Sequence, residues 1–189
     1  MEKLNRVTLL DDANRPKARK IAGLTPNQRQ QGRRLSLYHN LHREQLQNVA
    51  NVLEQVKVGN MNAKNLGKII SDLEMKSNFR AFGNLCGQEC EMLSFHHDAE
   101  EQMMFPSLRQ AGDLALAKVV ARLAAEHEVV HSLILELEHC AQALIVAPTL
   151  ENFTATQQSF QDLQKCVLSH FGYEETELED AMSVIDTGI

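Results

Sequence analysis

The stretch LALAKVVARLAAEHEVVHSLI, residues 114–134, decides how the rest of the chain is read. Leu116, Val120, Leu123, His127, His131 and Ile134 follow one another at steps of three and four, the period of one face of an α-helix. Two imidazoles therefore sit in an otherwise apolar stripe, one turn apart and on the same side. Asp113, just after Ala111-Gly112, offers an N-cap for this helix, and Pro148 stops it.

The same pattern extends outward in both directions. Thr25-Pro26 is a helix start, with a capping hydroxyl and then proline in the first turn. The helix it opens is expected to run to about Val58, before Gly59-Asn60, with Leu35, His39, His42, Leu46, Val49, Leu53 and Val56 as its inward stripe. A second helical region spans 63–110, with a break near Lys76-Ser77-Asn78. Thr149 caps the last helix, whose stripe is Phe153, Thr156, Phe160, Leu163, Val167, His170, Glu174, Leu178 and Ala181. Four long amphipathic helices joined by short loops predict an all-α fold, an up-down-up-down antiparallel four-helix bundle. It would occupy residues 25–189. Residues 1–24 lack a sustained period and form an N-terminal arm, whose Arg15, Lys17, Arg19 and Lys20 read as a solvated cluster lying on the bundle or on a partner subunit.

Composition agrees with this. The 189 residues suit one domain, and 9 Gly, 4 Pro and no Trp beside abundant Glu, Gln, Leu, Ala and Lys favour helices. A net charge of −6 argues against nucleic acid as a partner. No apolar run reads as long enough for a membrane span, and the N-terminus has no apolar signal core, so a cytoplasmic protein is expected. Cys86, Cys90, Cys140 and Cys166 fall in helices with no disulfide framework. They read as free thiols and small buried hydrophobes, although Cys86 and Cys90 stand one turn apart.

The chemistry lies in the histidines, 8 in all. The pattern H-x-x-x-E-E occurs twice, at His96–Glu101 and His170–Glu175, each time one helix after an inward histidine, His42 and then His127. His96/Glu100, His170/Glu174 and His127/His131 are all pairs four apart. Imidazoles and carboxylates crowded into an apolar core are intolerable without a partner, and a metal is the simplest one. Nitrogen and oxygen donors without thiolate favour Fe, Mn or Zn, and carboxylates from opposite helices can bridge two ions. Spacing leaves some registers open: His97/Glu101 is also a pair four apart, His39 shares the stripe of His42, and Glu175 competes with Glu174.

With these residues in view, the chain resembles the hemerythrin family, the HHE cation-binding domain, over roughly residues 35–182. His96 to Pro106 is similar to the family's second-helix motif, H-x-x-x-E-E followed by an apolar pair and Phe-Pro. Ala125-Glu126-His127-Glu128 with His131 resembles its third-helix motif, His42-Arg43-Glu44 its first, and His170 to Glu175 its fourth, though the Phe-Pro of many relatives is missing there. The resemblance selects His96, Glu100 and His42, and it prefers Glu174. It implies two iron ions joined by an oxo or hydroxo bridge, with Zn or Mn as substitutes in some preparations. His127, His131 and His170 would bind one ion, His42 and His96 the other, and Glu100 and Glu174 would bridge. The ion with two histidines would keep one open position, walled by residues such as Leu46, Leu93 and Phe95. His97, Glu101 and His139 are left as flank or surface residues; His39 and Tyr38 either orient a ligand or simply pack.

The expected function is binding of O2 or NO at that open position, for carriage, storage or sensing. Sensing would need a signalling partner, and a homodimer is the other assembly expected. The alternatives are a diiron enzyme acting on NO or peroxide or supplying iron for iron–sulfur repair, and a metal-free helical interaction module. The first 35 residues hold no Cys, unlike the cysteine-bearing module of relatives with repair roles.

Overall fold

The computed structural model describes residues 12–62 and 88–188. They contain a 3₁₀ turn, Asp12–Asn14, and then helices only. We number them α1 (Pro26–Gly32), α2 (Arg34–Asn62), α3 (described over 88–110), α4 (Leu114–Val146) and α5 (Leu150–Met182). The expected break near residues 76–78 and Cys86 lie outside the described residues.

The helix ends follow from the residues that cap them. Thr25 and Gln28 form a reciprocal capping box at α1, with Pro26 in its first turn. Asp113 Oδ1 accepts from the N–H groups of Ala115 (2.7 Å) and Leu116 (3.0 Å) and starts α4. Gly112, at φ +74°, supplies the left-handed residue that ends α3. Thr149 Oγ1 accepts from Asn152 N at 3.2 Å and starts α5.

The first helix departs from expectation in two ways: it breaks at Arg33, and it continues past Gly59 to Asn62. Gly32, at the break, presses its backbone against the Glu179 carbonyl of α5 and the Ser183 hydroxyl just beyond its end. A Cβ there would overlap a backbone oxygen that cannot move aside. Gly32→Ala should therefore cost about 1–3 kcal/mol, as overpacking does. For a chain of this size that is a fall in Tm of roughly 2–12 °C, which calorimetry would read; an unchanged Tm would mean that α1 is not held against α5 in this way.

The chain divides into two compact units. One contains residues 1–41, 94–131 and 165–189. Its apolar core joins Leu35 to Met104, Phe105, Leu108, Val119, Val120, Leu123, Leu178 and Met182. The other contains residues 42–93 and 132–164, and its buried side chains include Leu46, Val49, Leu53, Leu93, Leu137, Leu144, Phe153 and Phe160. The predicted stripes of α2 and α5 are buried throughout their described side chains.

Two expectations change here. By length and composition alone, α4 is apolar enough to cross a membrane, contrary to the reading that no run is. Yet its face carries Glu126 and His127, both buried and paired with side chains of other segments, as in the core helix of a folded domain. The basic arm is not a wholly solvated cluster either: Arg15 is buried, and the segment lies along α5. Ala18 N donates to Glu177 Oε2 (2.7 Å), Ile21 N to Asp180 Oδ2 (2.8 Å), and Lys20 Nζ to the Thr176 carbonyl (2.6 Å).

Candidate metal centre

Three helices and the start of α2 deliver imidazoles and carboxylates into the first unit. In α3 the helix widens into a π turn over Glu100–Met104, where Phe105 N–H reaches back to the Glu100 carbonyl. Pro106 explains this locally: it has no N–H to offer Gln102, and its ring crowds that carbonyl. The wide turn begins at Glu100, a residue of the cluster, as π turns often do at functional sites.

Two imidazole pairs face each other's nitrogens. His39 Nε2 lies 3.1 Å from His96 Nε2, and His127 Nε2 lies 3.1 Å from His170 Nε2. Two carboxylates are shared between the pairs. Glu100 Oε1 is 3.1 Å from His96 Nε2 and 3.8 Å from His39 Nε2, while its Oε2 is 3.4 Å from His127 Nε2. Glu174 Oε2 is 3.5 Å from both His39 Nε2 and His170 Nε2.

The opposite face of three of these rings is tied to an acid. His39 Nδ1 meets Glu175 Oε1 at 2.8 Å, His127 Nδ1 meets Glu101 Oε1 at 2.8 Å, and His170 Nδ1 meets Glu126 Oε2 at 3.1 Å. A carboxylate at Nδ1 keeps the proton there, so that the lone pair of Nε2 points into the cluster, the arrangement used by metal-bound histidines.

The electrostatics are those of groups that a cation would balance. Burial, and then the charge of neighbouring acids, holds Glu100 and Glu174 well above the usual carboxylate range. Burial and the surrounding imidazoles hold His97 well below its ordinary value and bring His127 down to about 2. None of the four oxygens of Glu100 and Glu174 has a hydrogen-bond partner, nor has either nitrogen of His97 or Nε2 of His131. Orphaned buried donors and acceptors of this kind are rare and costly. A cation would satisfy them together, and two imidazoles bound to one ion at about 2.1 Å and a right angle would stand about 3 Å apart. The donor atoms of His39, His96 and Glu100 lie within 4.8 Å of one another, as do those of His97, Glu100, His127 and His170. The residues fit a pair of divalent or trivalent ions.

Of the residues selected from sequence, His96, Glu100, His127, His170 and Glu174 come together. His42 does not join them: its Nδ1 pairs with Glu89 Oε1 at 2.8 Å in the second unit. His39, one turn earlier on the same stripe, takes the central place. His131 is half-buried, its ring 5.6 Å from that of His97, and it lies outside both close groups. His97, expected at the flank, is fully buried and stacked on His127 at 4.0 Å. Glu101 and Glu175, left over or left open by spacing, hold the outer nitrogens of His127 and His39. Phe95 is 78% exposed and walls nothing, and Tyr38 is half exposed. His139 is exposed, as expected. The thiol of Cys90 is pushed up to about 12 by burial, then by Glu138 and Glu89, consistent with an inert buried hydrophobe.

The shifts make a prediction for protein stripped of metal. Above the ordinary 4.5 of a glutamate, the unfolded chain gives up protons that folded Glu100 and Glu174 keep, so stability falls as pH rises. Below the ordinary 6.5 of a histidine, the unfolded chain takes up protons that folded His97 and His127 refuse, so stability falls as pH drops. Metal-free protein should be most stable between these two values, as thermal scans in chelator across pH would show. A Tm still climbing at pH 8 would contradict the buried, uncompensated acids.

Helices that send histidines and shared carboxylates into one buried cluster define a cation-binding helical protein. The chain belongs to the hemerythrin family: the model of the hemerythrin HHE cation-binding domain matches residues 32–182. No curated protein and no solved structure gives a significant match.

Proposed function

We propose that this protein holds two iron ions and binds O2 or NO at one of them. The observation that carries this is the sharing of Glu100 and Glu174 by two imidazole pairs, with every oxygen of both carboxylates buried and unpaired. One ion falls to His39 and His96. The other falls to His127 and His170, with a third imidazole from the stacked rings of His97 and His131. Glu100 and Glu174, which lie near both pairs, would be shared by the two ions. Iron is preferred among the N/O-binding metals on the strength of the family, and it supplies the electrons that diatomic ligands need.

The chain's own residues set the terms of binding. Glu175, Glu101 and Glu126 fix three rings so that their Nε2 atoms point inward. Phe171 stacks on His39 at 3.9 Å and Phe105 lies 5.3 Å from His127, so aromatic faces limit access of water to both pairs. An ion held by the smaller set, His39 and His96, would have fewer protein ligands and so the capacity to take a diatomic molecule. Stopped-flow spectra of the reduced, iron-loaded protein test this. Reversible changes with O2 or NO support a binding protein; steady consumption of NO or peroxide would make it an enzyme instead, and no response to either would refute the open position. Loss of either His97 or His131 to alanine, compared by iron content, identifies the third imidazole.

A further inference from the structure

Arg15 precedes the residues matched by the family model, yet its side chain is only 5% exposed. Its guanidinium grips Glu126 as a fork, Nε donating to Oε1 at 2.8 Å and Nη2 to Oε2 at 3.0 Å. Nη1 donates to Ser169 Oγ at 3.0 Å and to the Ser169 carbonyl at 3.3 Å. The guanidinium carbon lies 4.7 Å from the centre of the Tyr173 ring, and the Tyr173 hydroxyl donates to the Pro16 carbonyl at 2.7 Å. Glu126 also accepts from Arg122 Nε at 2.8 Å and from His170 Nδ1 at 3.1 Å. A continuous line of charged hydrogen bonds thus joins the arm to an imidazole whose Nε2 faces the candidate metal site.

We propose that Arg15 is a positioning residue that sets, through Glu126 and His170, the reduction potential of the metal centre. Two guanidinium groups draw on the charge of the Glu126 carboxylate, and so weaken its hydrogen bond to His170 Nδ1. Without Arg15, Glu126 pulls harder on the Nδ1 proton. The ring then gains imidazolate character and favours the more oxidised ion. Loss of a buried positive charge acts in the same direction. Lysine would restore charge but not the planar fork. Because Ala18, Lys20 and Ile21 anchor the same segment to α5, displacing the arm would have the same effect as removing Arg15.

This inference rests on the iron-binding reading above, and its test has one arm with iron and one without. In the iron-loaded full chain, Arg15→Met should shift the ferric/ferrous equilibrium about tenfold toward ferric, roughly 59 mV for a one-electron couple, read by spectroelectrochemistry. Arg15→Lys should recover part of that shift. A potential equal to wild type in Arg15→Met would overturn the proposal, leaving Arg15 a packing residue. Should Arg15→Met not fold, Tyr173→Phe, which frees the Pro16 carbonyl and loosens the arm, should move the potential the same way by less; an unmoved potential there overturns it equally. In metal-free protein, the ring ¹⁵N shifts of His170 should change in Arg15→Met while those of His39 stay put. That result would support the link even if the wild type took up no iron, whereas an unmoved His170 would refute it.

Discussion

Glu100→Ala is expected to empty both metal positions at once. Glu100 is the residue common to the two close groups of donor atoms, with one oxygen toward His96 and the other toward His127. Removing it takes a shared negative charge from between both ions and leaves the two cations to repel each other with less to offset them. Loss of an outer partner of a metal ligand commonly costs 10–100-fold in affinity, so loss of a shared ligand should cost at least about 100-fold. Iron retained after desalting should fall close to background. The metal-free variant should nevertheless fold, because Glu100 is a buried acid held well above its usual range, and its removal relieves that cost. Near wild-type iron in Glu100→Ala would mean that this carboxylate is not a shared ligand.

His39→Ala and His42→Ala should have opposite effects, and their comparison carries the second-largest expected difference. His39 Nε2 faces His96 and both central carboxylates, so its loss should remove one ion of two and abolish O2 or NO binding. His42 instead pairs with Glu89, whose other oxygen is buried without a partner. His42→Ala should keep the iron and destabilise the fold by about 1–3 kcal/mol through an orphaned buried acid. Iron content and Tm measured on both variants separate the two roles. If His42→Ala lost iron and His39→Ala kept it, the assignment drawn from the resemblance to the family would replace the one drawn from geometry.

That exchange shows how far the sequence could be read. The stripes of α2 and α5 and the caps at Thr25, Asp113 and Thr149 follow from local periodicity and hydrogen-bonding chemistry, and the structure places them where expected. His39 and His42 occupy one stripe three residues apart. Which of them meets His96 depends on how α2 is phased against α3, and no property of α2 alone sets that. Glu174 and Glu175 differ by one position; one lies between the imidazole pairs and the other holds the outer nitrogen of His39. Spacing leaves His97 open, and the resemblance sets it at the flank by selecting His96, whose direction differs by about 100° on the helix. Both His96 and His97 can face inward only because the crowded cluster spans a wide arc of α3. Arg15 was illegible: it is 111 residues from Glu126, in a stretch without period, and only the tertiary structure reveals an acid that needs it.

The central claim is that two imidazole pairs and two shared carboxylates bind a pair of ions. It is tested most directly by loading the purified chain with ferrous iron without oxygen, desalting it, and measuring iron per chain beside the spectrum after oxidation. Two irons per chain, with near-ultraviolet charge-transfer bands of a bridged ferric pair, is the predicted result. Retention of no iron, or of a single iron without those bands, would contradict it.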